Sequence, residues 1–293
     1  MTSSPRFVLV LIGLLAAAFV PQSLRAAFPI PSEYSIAGFA VGCQAYTFNR
    51  FSVFEAIEKT DQAGGRIIEF YPGQKLSPQE PGVKWDHNAS AEVIAKVKAK
   101  LAHHKIRAVN YGVVGIPKSE TEARKIFEFA RTMEMYAVTT ESLDALDTIE
   151  KLVKEYDIKV AYHQHAKNPR NPDYKIWDPE FLASALKGRD ARIGACADTG
   201  HWASSGLKPV DCLRILKGRI ISTHLKDRAA IGSHLPDGVF GMGVSDIAGC
   251  LDELKAQGFT GNISIEYENN WDHSVPDVAQ CVGFIRGWGA RAR

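Results

Sequence analysis

The chain has 293 residues, of which 45% are hydrophobic, and this length suits one large domain behind an N-terminal targeting segment. Its 35 Lys and Arg residues nearly balance its 33 Asp and Glu residues, so the formal net charge is only +2. Because the charge is close to neutral and no long basic run occurs, the composition argues against nucleic acid or an anionic membrane surface as a partner.

The first 27 residues are typical of a secretory signal peptide. Arg6 supplies a positive start, residues 7–20 form an apolar run, and small residues follow, with cleavage after Ala26 or Ala27. The apolar run is shorter than the roughly 20 residues of a membrane span. The cleavage site is imperfect, which leaves a retained membrane anchor as the alternative. The pattern predicts export to the bacterial periplasm, with residues 28–293 as the mature domain and no membrane contact after cleavage.

Residues 28–293 alternate between short apolar strands and amphipathic helices. The strand candidates are bounded by turn or polar residues, as buried parallel strands are. They span 39–44, 66–71, 106–111, 136–140, 159–163, 193–197, 220–224 and 262–266. The helix candidates span 52–63, 89–104, 119–135, 143–156, 179–186, 209–216, 246–257 and 277–288. The predicted helix N-caps are Ser52, Ser90, Ser119 and Ser245.

This alternation predicts the α/β class and a single closed (β/α)8 TIM barrel. An open doubly wound sheet is the alternative, but no G-x-G-x-x-G run follows the first strand, which weakens a dinucleotide-binding interpretation. The cysteines are odd in number and widely scattered, so they predict buried small side chains rather than a disulfide framework. They are Cys43, Cys196, Cys212, Cys250 and Cys281.

Side chains of the types that bind metals end four consecutive predicted strands. His163 ends the fifth, Asp198 the sixth, His224 the seventh and Glu266 the eighth. Each has an ordinary structural explanation alone, but TIM barrels carry their active sites at these strand ends, so the four in register predict one divalent metal site. Two imidazoles with two carboxylates suit manganese, cobalt, iron or zinc, whereas an all-oxygen site would favour magnesium or calcium.

Such an ion would hold the carbonyl and a neighbouring hydroxyl of a sugar and stabilise the enediolate that forms when the intervening C–H proton leaves. Further catalytic candidates near the same strand ends are His165, His201 and Lys226. Candidate substrate contacts are Gln44, Glu69, Glu141 and Glu268.

Several of these assignments have alternatives. His165 competes with His163 as the ligand, and Glu268 competes with Glu266. Lys226 is either a base of depressed pKa, or an oxyanion partner, or part of an ion pair with Asp227 or a neighbouring Glu. Glu69 serves substrate contact or barrel packing, and the same two alternatives hold for Glu141.

At these residues the chain resembles the xylose isomerase-like barrel superfamily, whose members are often described as sugar phosphate isomerases or epimerases. The matching runs are Asp198-Thr-Gly-His201, His224-Leu-Lys-Asp227, Ile265-Glu-Tyr-Glu268 and Gly241-Met-Gly243. The resemblance extends from about Val41 to Phe284. It implies a divalent metal, often manganese, with zinc, cobalt, iron or magnesium as alternatives. The ligands it implies are His163, Asp198, His224 and Glu266.

The resemblance also implies the reaction. Epimerases of the superfamily use two glutamates as acid and base, which makes Glu266 a catalytic candidate, but they carry glutamate where this chain has His163. The His-rich fifth strand is more similar to that of inosose dehydratases. The prediction is therefore a sugar isomerase or epimerase acting on a sugar or keto-sugar, with a keto-sugar or 3-keto-glycoside lyase as the alternative.

Two other classes remain for comparison. The endonuclease IV-like branch of the superfamily needs a basic groove, which the near-neutral charge and the export signal disfavour. A non-catalytic sugar-binding barrel would not need the four ligand-type residues, and metal analysis would distinguish it. The oligomeric state stays open between a monomer and a homo-oligomer.

Overall fold

Eight parallel strands close into a barrel in the computed structural model, which describes residues 28–291. Each strand pairs with the next along the chain, and the last pairs with the first, so the predicted (β/α)8 barrel is confirmed. The strands are β1 Phe39–Gln44, β2 Ile67–Phe70, β3 Arg107–Tyr111, β4 Ala137–Thr140, β5 Lys159–Tyr162, β6 Ile193–Asp198, β7 Ile220–Leu225 and β8 Asn262–Ile265. Most strand residues are buried, because helices cover the outer face of a barrel while side chains fill its inside.

The helices follow the strands around the barrel and pack against one another, α1 on α2 and α3 on α4 among them. They are α1 Val53–Gln62, α2 Ala91–His104, α3 Glu120–Thr132, α4 Leu146–Tyr156, α5 Pro179–Ala185, α6 Thr199–Ser204, α7 Pro209–Ile215, α8 Ile247–Ala256 and α9 Val275–Arg291. The short helix α6 was not predicted. No helix within residues 28–291 is long and apolar enough to cross a membrane.

Two of the four predicted N-caps make cap hydrogen bonds. Ser52 forms a capping box with Glu55, and the Ser90 hydroxyl accepts the N–H of the third helical residue. Ser119 makes no side-chain cap bond. The prediction for Ser245 is wrong, because Asp246 caps α8 and the Ser245 hydroxyl instead accepts the backbone N–H of Arg228.

Two short antiparallel hairpins follow barrel strands. One joins Gln74–Lys75 to Lys84–Trp85 after β2, and the other joins Asp227–Arg228 to Asp237–Gly238 after β7. All five cysteines are buried and free, as predicted. The predicted signal peptide, residues 1–27, lies outside the described residues.

Candidate active site

The four side chains predicted as metal ligands meet at the carboxyl ends of the last four strands. Asp198 is the final residue of β6 and pairs in register with His224 of β7. His163 and Glu266 come directly after β5 and β8. All four are buried, and each offers a nitrogen or oxygen atom within 4.8 Å of those of the others. The barrel register therefore gathers two imidazoles and two carboxylates around one point.

His163 lies between two carboxylates. Its Nδ1 is 2.8 Å from Glu141 Oε1, and its Nε2 is 3.3 Å from Asp198 Oδ2, inside the cluster. Metal-binding imidazoles almost always have their second nitrogen on a carboxylate, a carbonyl or water, which fixes the ring and makes the other nitrogen a better ligand. Glu141 gives His163 this arrangement.

On the other side of the cluster, a carboxylate likewise lies close to each ring nitrogen of His224, although without hydrogen-bond geometry. Its Nε2 is 3.1 Å from Glu69 Oε2, and its Nδ1 is 3.0 Å from Glu266 Oε2. Glu69 is fully buried inside the barrel and accepts hydrogen bonds from the hydroxyls of Thr139 (3.0 Å) and Ser264 (2.8 Å). The Glu69 carboxylate therefore lies against His224 inside the barrel. It does not line the mouth, where it had been predicted to contact substrate.

Polar atoms at the centre of the cluster lack hydrogen-bond geometry. Neither ring nitrogen of His224 has a hydrogen-bond partner, and nor does Glu266 Oε2, although charged atoms lie close to each of them. Buried polar atoms without partners are rare because they lose their hydration without compensation. A divalent cation accepts electron pairs from both imidazole nitrogen and carboxylate oxygen, so the donor set fits such an ion.

Lys226 extends into the same cluster from β7. Its Nζ lies 3.2 Å from Asp198 Oδ2, 2.7 Å from Glu266 Oε2 and 2.6 Å from Glu268 Oε1. Burial by itself would lower the pKa of Lys226, but these carboxylates raise it well above its ordinary value. The ammonium group therefore stays protonated, which speaks against the base of depressed pKa. Its ion pairs are with Asp198 and the two glutamates, and Asp227 is engaged elsewhere.

Asp227 organises the loop after β7. Its carboxylate accepts the backbone N–H groups of Gly241 (2.8 Å), Gly243 (3.0 Å) and Ser245 (3.0 Å). The amides of Gly241 and Gly243 are therefore occupied by a carboxylate of the protein itself, and the amide of Met242 donates to the carbonyl of Val239. They do not form a free cradle for a phosphate group.

His201 and His165 approach the cluster from the side of solvent. The His201 backbone N–H donates to Asp198 Oδ1 at 2.8 Å, and its ring Nε2 lies 3.8 Å from Asp198 Oδ2. Burial lowers the pKa of His201 well below its ordinary value, which leaves a neutral imidazole. The His165 side chain is 59% exposed, and its Nδ1 lies 2.6 Å from Glu141 Oε1.

Glu141 was predicted to contact substrate, but its carboxylate is engaged by the two imidazoles of His163 and His165. Burial would raise the pKa of Glu141, yet these two hydrogen bonds hold it well below its ordinary value. Glu141 therefore holds both imidazole rings in position through these hydrogen bonds.

A cavity of about 340 Å³ opens over the cluster. Its lining includes two of the four predicted substrate contacts, Gln44 and Glu268, and also an aromatic and apolar wall. The lining residues are Gln44, Tyr46, Tyr71, Pro72, Val113, His163, His165, His201, Glu266 and Glu268. Glu69 and Glu141 are not among them. Tyr71 directly follows β2, and this position at a strand end is the signal that would have identified it.

Gln44 lines the cavity with both ends of its amide engaged. Its Nε2 donates to the carbonyl of Gly112 at 2.8 Å, and its Oε1 accepts the backbone N–H of Tyr46 at 2.9 Å. Tyr46 in turn makes edge-to-face contacts with Tyr71 and Trp271. Tyr46 and Tyr71 thus form an aromatic part of the cavity lining that is held by contacts with each other and with Trp271.

Proteins with a closed (β/α)8 barrel have their active sites at the C-terminal ends of the strands. The cluster of imidazoles and carboxylates in this chain lies at that end of the barrel. A family model described as xylose isomerase-like TIM barrel matches residues 137–286, which hold the whole cluster. The chain belongs to the xylose isomerase-like TIM barrel family.

Solved structures agree with this assignment. An uncharacterised protein from Parabacteroides distasonis ATCC 8503 is 31% identical, with a TM-score of 0.67 over 84% of this chain and 98% of that one. A D-tagatose 3-epimerase-like protein has a TM-score of 0.65 at 18% identity, over 85% of this chain and 96% of that one. D-allulose 3-epimerase from Methylomonas sp., solved in complex with D-allulose, has a TM-score of 0.63 at 15% identity, over 84% and 96%. No curated protein sequence matches the chain.

Proposed function

We propose that this protein is a divalent-metal-dependent sugar isomerase or epimerase that acts by removing the proton from the carbon next to a ketone. The observation that carries the proposal is the buried cluster of His163, Asp198, His224 and Glu266, in which each imidazole has a carboxylate behind it. If the cluster served only to stabilise the fold, its central nitrogen and oxygen atoms would be expected to hydrogen-bond to one another. Epimerases of D-allulose and D-tagatose type among the structural neighbours support a ketose as substrate.

A divalent ion held by these four residues would place positive charge beside the ketone oxygen and stabilise the negative charge that develops when the neighbouring C–H bond breaks. The protonated Lys226 adds a fixed positive charge at the same edge of the cluster. Neutral His201 and the carboxylate of Glu268 line the cavity and can accept a proton from a bound sugar. Tyr46 and Tyr71 offer apolar faces to the C–H side of its ring or chain.

The proposed substrate carries no phosphate. The amides of Gly241 and Gly243 already donate to Asp227, so this loop offers them to no anion. The predicted export signal would also place the protein away from the cytoplasm, where phosphorylated sugars are made. We therefore include an exported location and an unphosphorylated sugar in the proposal.

A lyase of keto-sugars or 3-keto-glycosides is the second candidate. The observation that favours it is the imidazole of His163 at the fifth-strand position, braced by Glu141, where epimerases are expected to carry a glutamate. Both reactions begin with loss of the same proton and differ in the second step. Elimination expels the substituent on the next carbon and yields an unsaturated ketone that absorbs in the near ultraviolet.

The test follows exchange of the substrate C–H proton in D2O by NMR. The substrates are D-allulose, D-tagatose and 3-keto-glycosides, and metal content is measured on the same samples. We expect Asp198→Asn and Glu266→Gln to lose the bound metal and to slow exchange by at least about 100-fold, since each removes a charged ligand. Asp252→Asn, on the outer helix α8, is the matched control and should retain both. Full metal content and full exchange in both ligand variants would disprove the assignment.

A further inference from the structure

A second cavity of about 540 Å³ lies beside the candidate active site. It is formed by the long loop between β5 and α5 and by the first turn of α5. The side chains that matter here are Lys167, Asn168, Asn171, Tyr174, Trp177 and Phe181. Its size is within the range of sites that bind small molecules.

The two cavities share a wall. The backbone N–H of His165, which lines the first cavity, donates to the hydroxyl of Tyr174, which lines the second, at 2.6 Å. Two residues later, the N–H of Lys167 donates to Ser205 Oγ at 2.8 Å, and this hydroxyl donates to the carbonyl of His201. The loop that forms the second cavity is therefore hydrogen-bonded both to His165 of the first cavity and to the end of the helix that carries His201.

The lining of the second cavity combines aromatic faces with hydrogen-bonding groups. Trp177 and the partly exposed Phe181 provide the aromatic surface, and the Lys167 ammonium lies 4.9 Å from the centre of the Trp177 ring. Asn168 and Asn171 add amides at the rim. A sugar ring has an apolar C–H face for the aromatic surface and hydroxyls for the amides, whereas an aromatic leaving group would make little use of the amides.

We propose that this cavity is the subsite for a second sugar ring, so that the substrate is a disaccharide or larger glycoside. The reacting ring occupies the 340 Å³ cavity over the metal ligands, and the neighbouring ring occupies the 540 Å³ cavity. The identity of the reacting ring depends on the proposed function, but occupancy of the second cavity does not.

The test measures binding separately from turnover, on metal-loaded protein. Maltose, cellobiose, trehalose, lactose and, for comparison, D-glucose are each titrated into the protein while the indole N–H signals are followed by NMR. We expect at least one disaccharide to bind more tightly than glucose and to shift the Trp177 signal. Trp177→Ala should weaken that disaccharide about tenfold and leave glucose unchanged, because only the second ring contacts the indole. Leu235→Ala removes an exposed apolar side chain from the loop after β7 and should change the affinity for neither the disaccharide nor glucose.

The outcomes separate this subsite from the proposed function. If all four disaccharides bind no more tightly than glucose, or if Trp177→Ala weakens glucose and disaccharide equally, there is no second-ring subsite, whatever the activity on D-allulose. If a disaccharide shifts Trp177 while no substrate exchanges its proton, the subsite stands and the proposed reaction fails. Both results are independent of folding once the variants are shown to melt at the wild-type temperature.

Discussion

At the scale of single residues, the arrangement around Glu69 says most about the candidate site. This carboxylate is fully buried, is fixed by hydroxyls of Thr139 and Ser264, and lies 3.1 Å from His224 Nε2. A buried carboxylate without partners would be costly, and these three neighbours hold it in position. It orients the His224 ring so that Nδ1 faces the cluster.

Replacing Glu69 with Gln tests this orienting role. The substitution keeps the size of the side chain but removes the charge and turns one acceptor into a donor facing other donors. We expect metal affinity to fall about 10- to 100-fold, as is usual when a residue behind a metal-binding imidazole is changed. Competition with a chromogenic chelator measures the affinity. Glu80→Gln, which only breaks the surface ion pair with Lys96, is the control. Equal affinity in Glu69→Gln and wild type would mean that Glu69 is a packing residue only.

The sequence was informative about which residues reach the strand ends, but less so about where each side chain points. His163, Asp198, His224 and Glu266 follow from strand register, since equivalent ends of neighbouring parallel strands lie together. Glu69 and Glu141 were placed at the correct strand ends too. That they face imidazoles instead of solvent depends on the tilt of the strands and on partners distant in sequence. Spacing along one strand carries no record of such contacts.

At the scale of secondary-structure elements, α6 and the end of β7 are locked together. The Thr199 hydroxyl donates to the carbonyl of Lys226 and accepts its N–H, both at 2.8 Å. Gly200 packs so closely that a Cβ atom there would lie 2.6 Å from Lys226 Cβ. The run from Asp198 to His201 thus holds the run from His224 to Asp227 by direct contact, which explains why the two motifs occur as a pair.

Gly200→Ala should therefore destabilise the protein and displace Lys226. The new methyl group meets atoms close to the backbone, which cannot swing away, and overpacking of this kind costs about 1–3 kcal/mol. The matched control is Gly283→Ala in α9, where a Cβ meets no atom within 4 Å. That change should stabilise the helix by about 0.5–1 kcal/mol. Urea denaturation measures both, and a Gly200→Ala variant as stable as the Gly283→Ala variant would contradict the close packing.

The regular elements were predictable because periodic burial leaves a pattern over many residues. All eight strands and eight of the helices were identified, with ends that differ by a few residues. Helix α6 and the two hairpins were missed, since they are too short for a period to show. The hairpin Asp227–Arg228 with Asp237–Gly238 is also stabilised by a buried ion pair between Arg228 and Asp237, which only the folded chain brings together.

At the scale of the whole molecule, barrel closure completes the site. The last strand pairs with the first, and the Thr47 hydroxyl donates to the carbonyl of Ile265 and accepts the N–H of Tyr267 across this seam. Closure sets Glu266 beside Gln44 at the mouth. The second half of the chain thus supplies the four candidate metal ligands, while the first half supplies Glu69 and the tyrosines of the aromatic wall.

Metal binding at the four-residue cluster would also be coupled to the stability of the whole barrel. Without metal, the carboxylates of Asp198, Glu266 and Glu268 are balanced by the ammonium of Lys226 together with the imidazoles of His163 and His224, whose pKa values the surrounding acidic groups raise against the effect of burial. A divalent ion binds only where the barrel has assembled these ligands. At a free concentration 100 times its dissociation constant, it should add about 2.7 kcal/mol of stability.

For a chain of this length, that gain corresponds to a rise in melting temperature of about 5 °C. Thermal unfolding of chelator-treated protein, with and without added manganese, zinc, cobalt, iron or magnesium, measures the shift for each ion. Asp198→Asn should abolish the rise because it removes a ligand, while Asp252→Asn should show the full rise. If no ion raises the melting temperature of the wild type, or if Asp198→Asn responds equally, the buried carboxylates are balanced by Lys226 and the imidazoles, and the cluster is not a metal site.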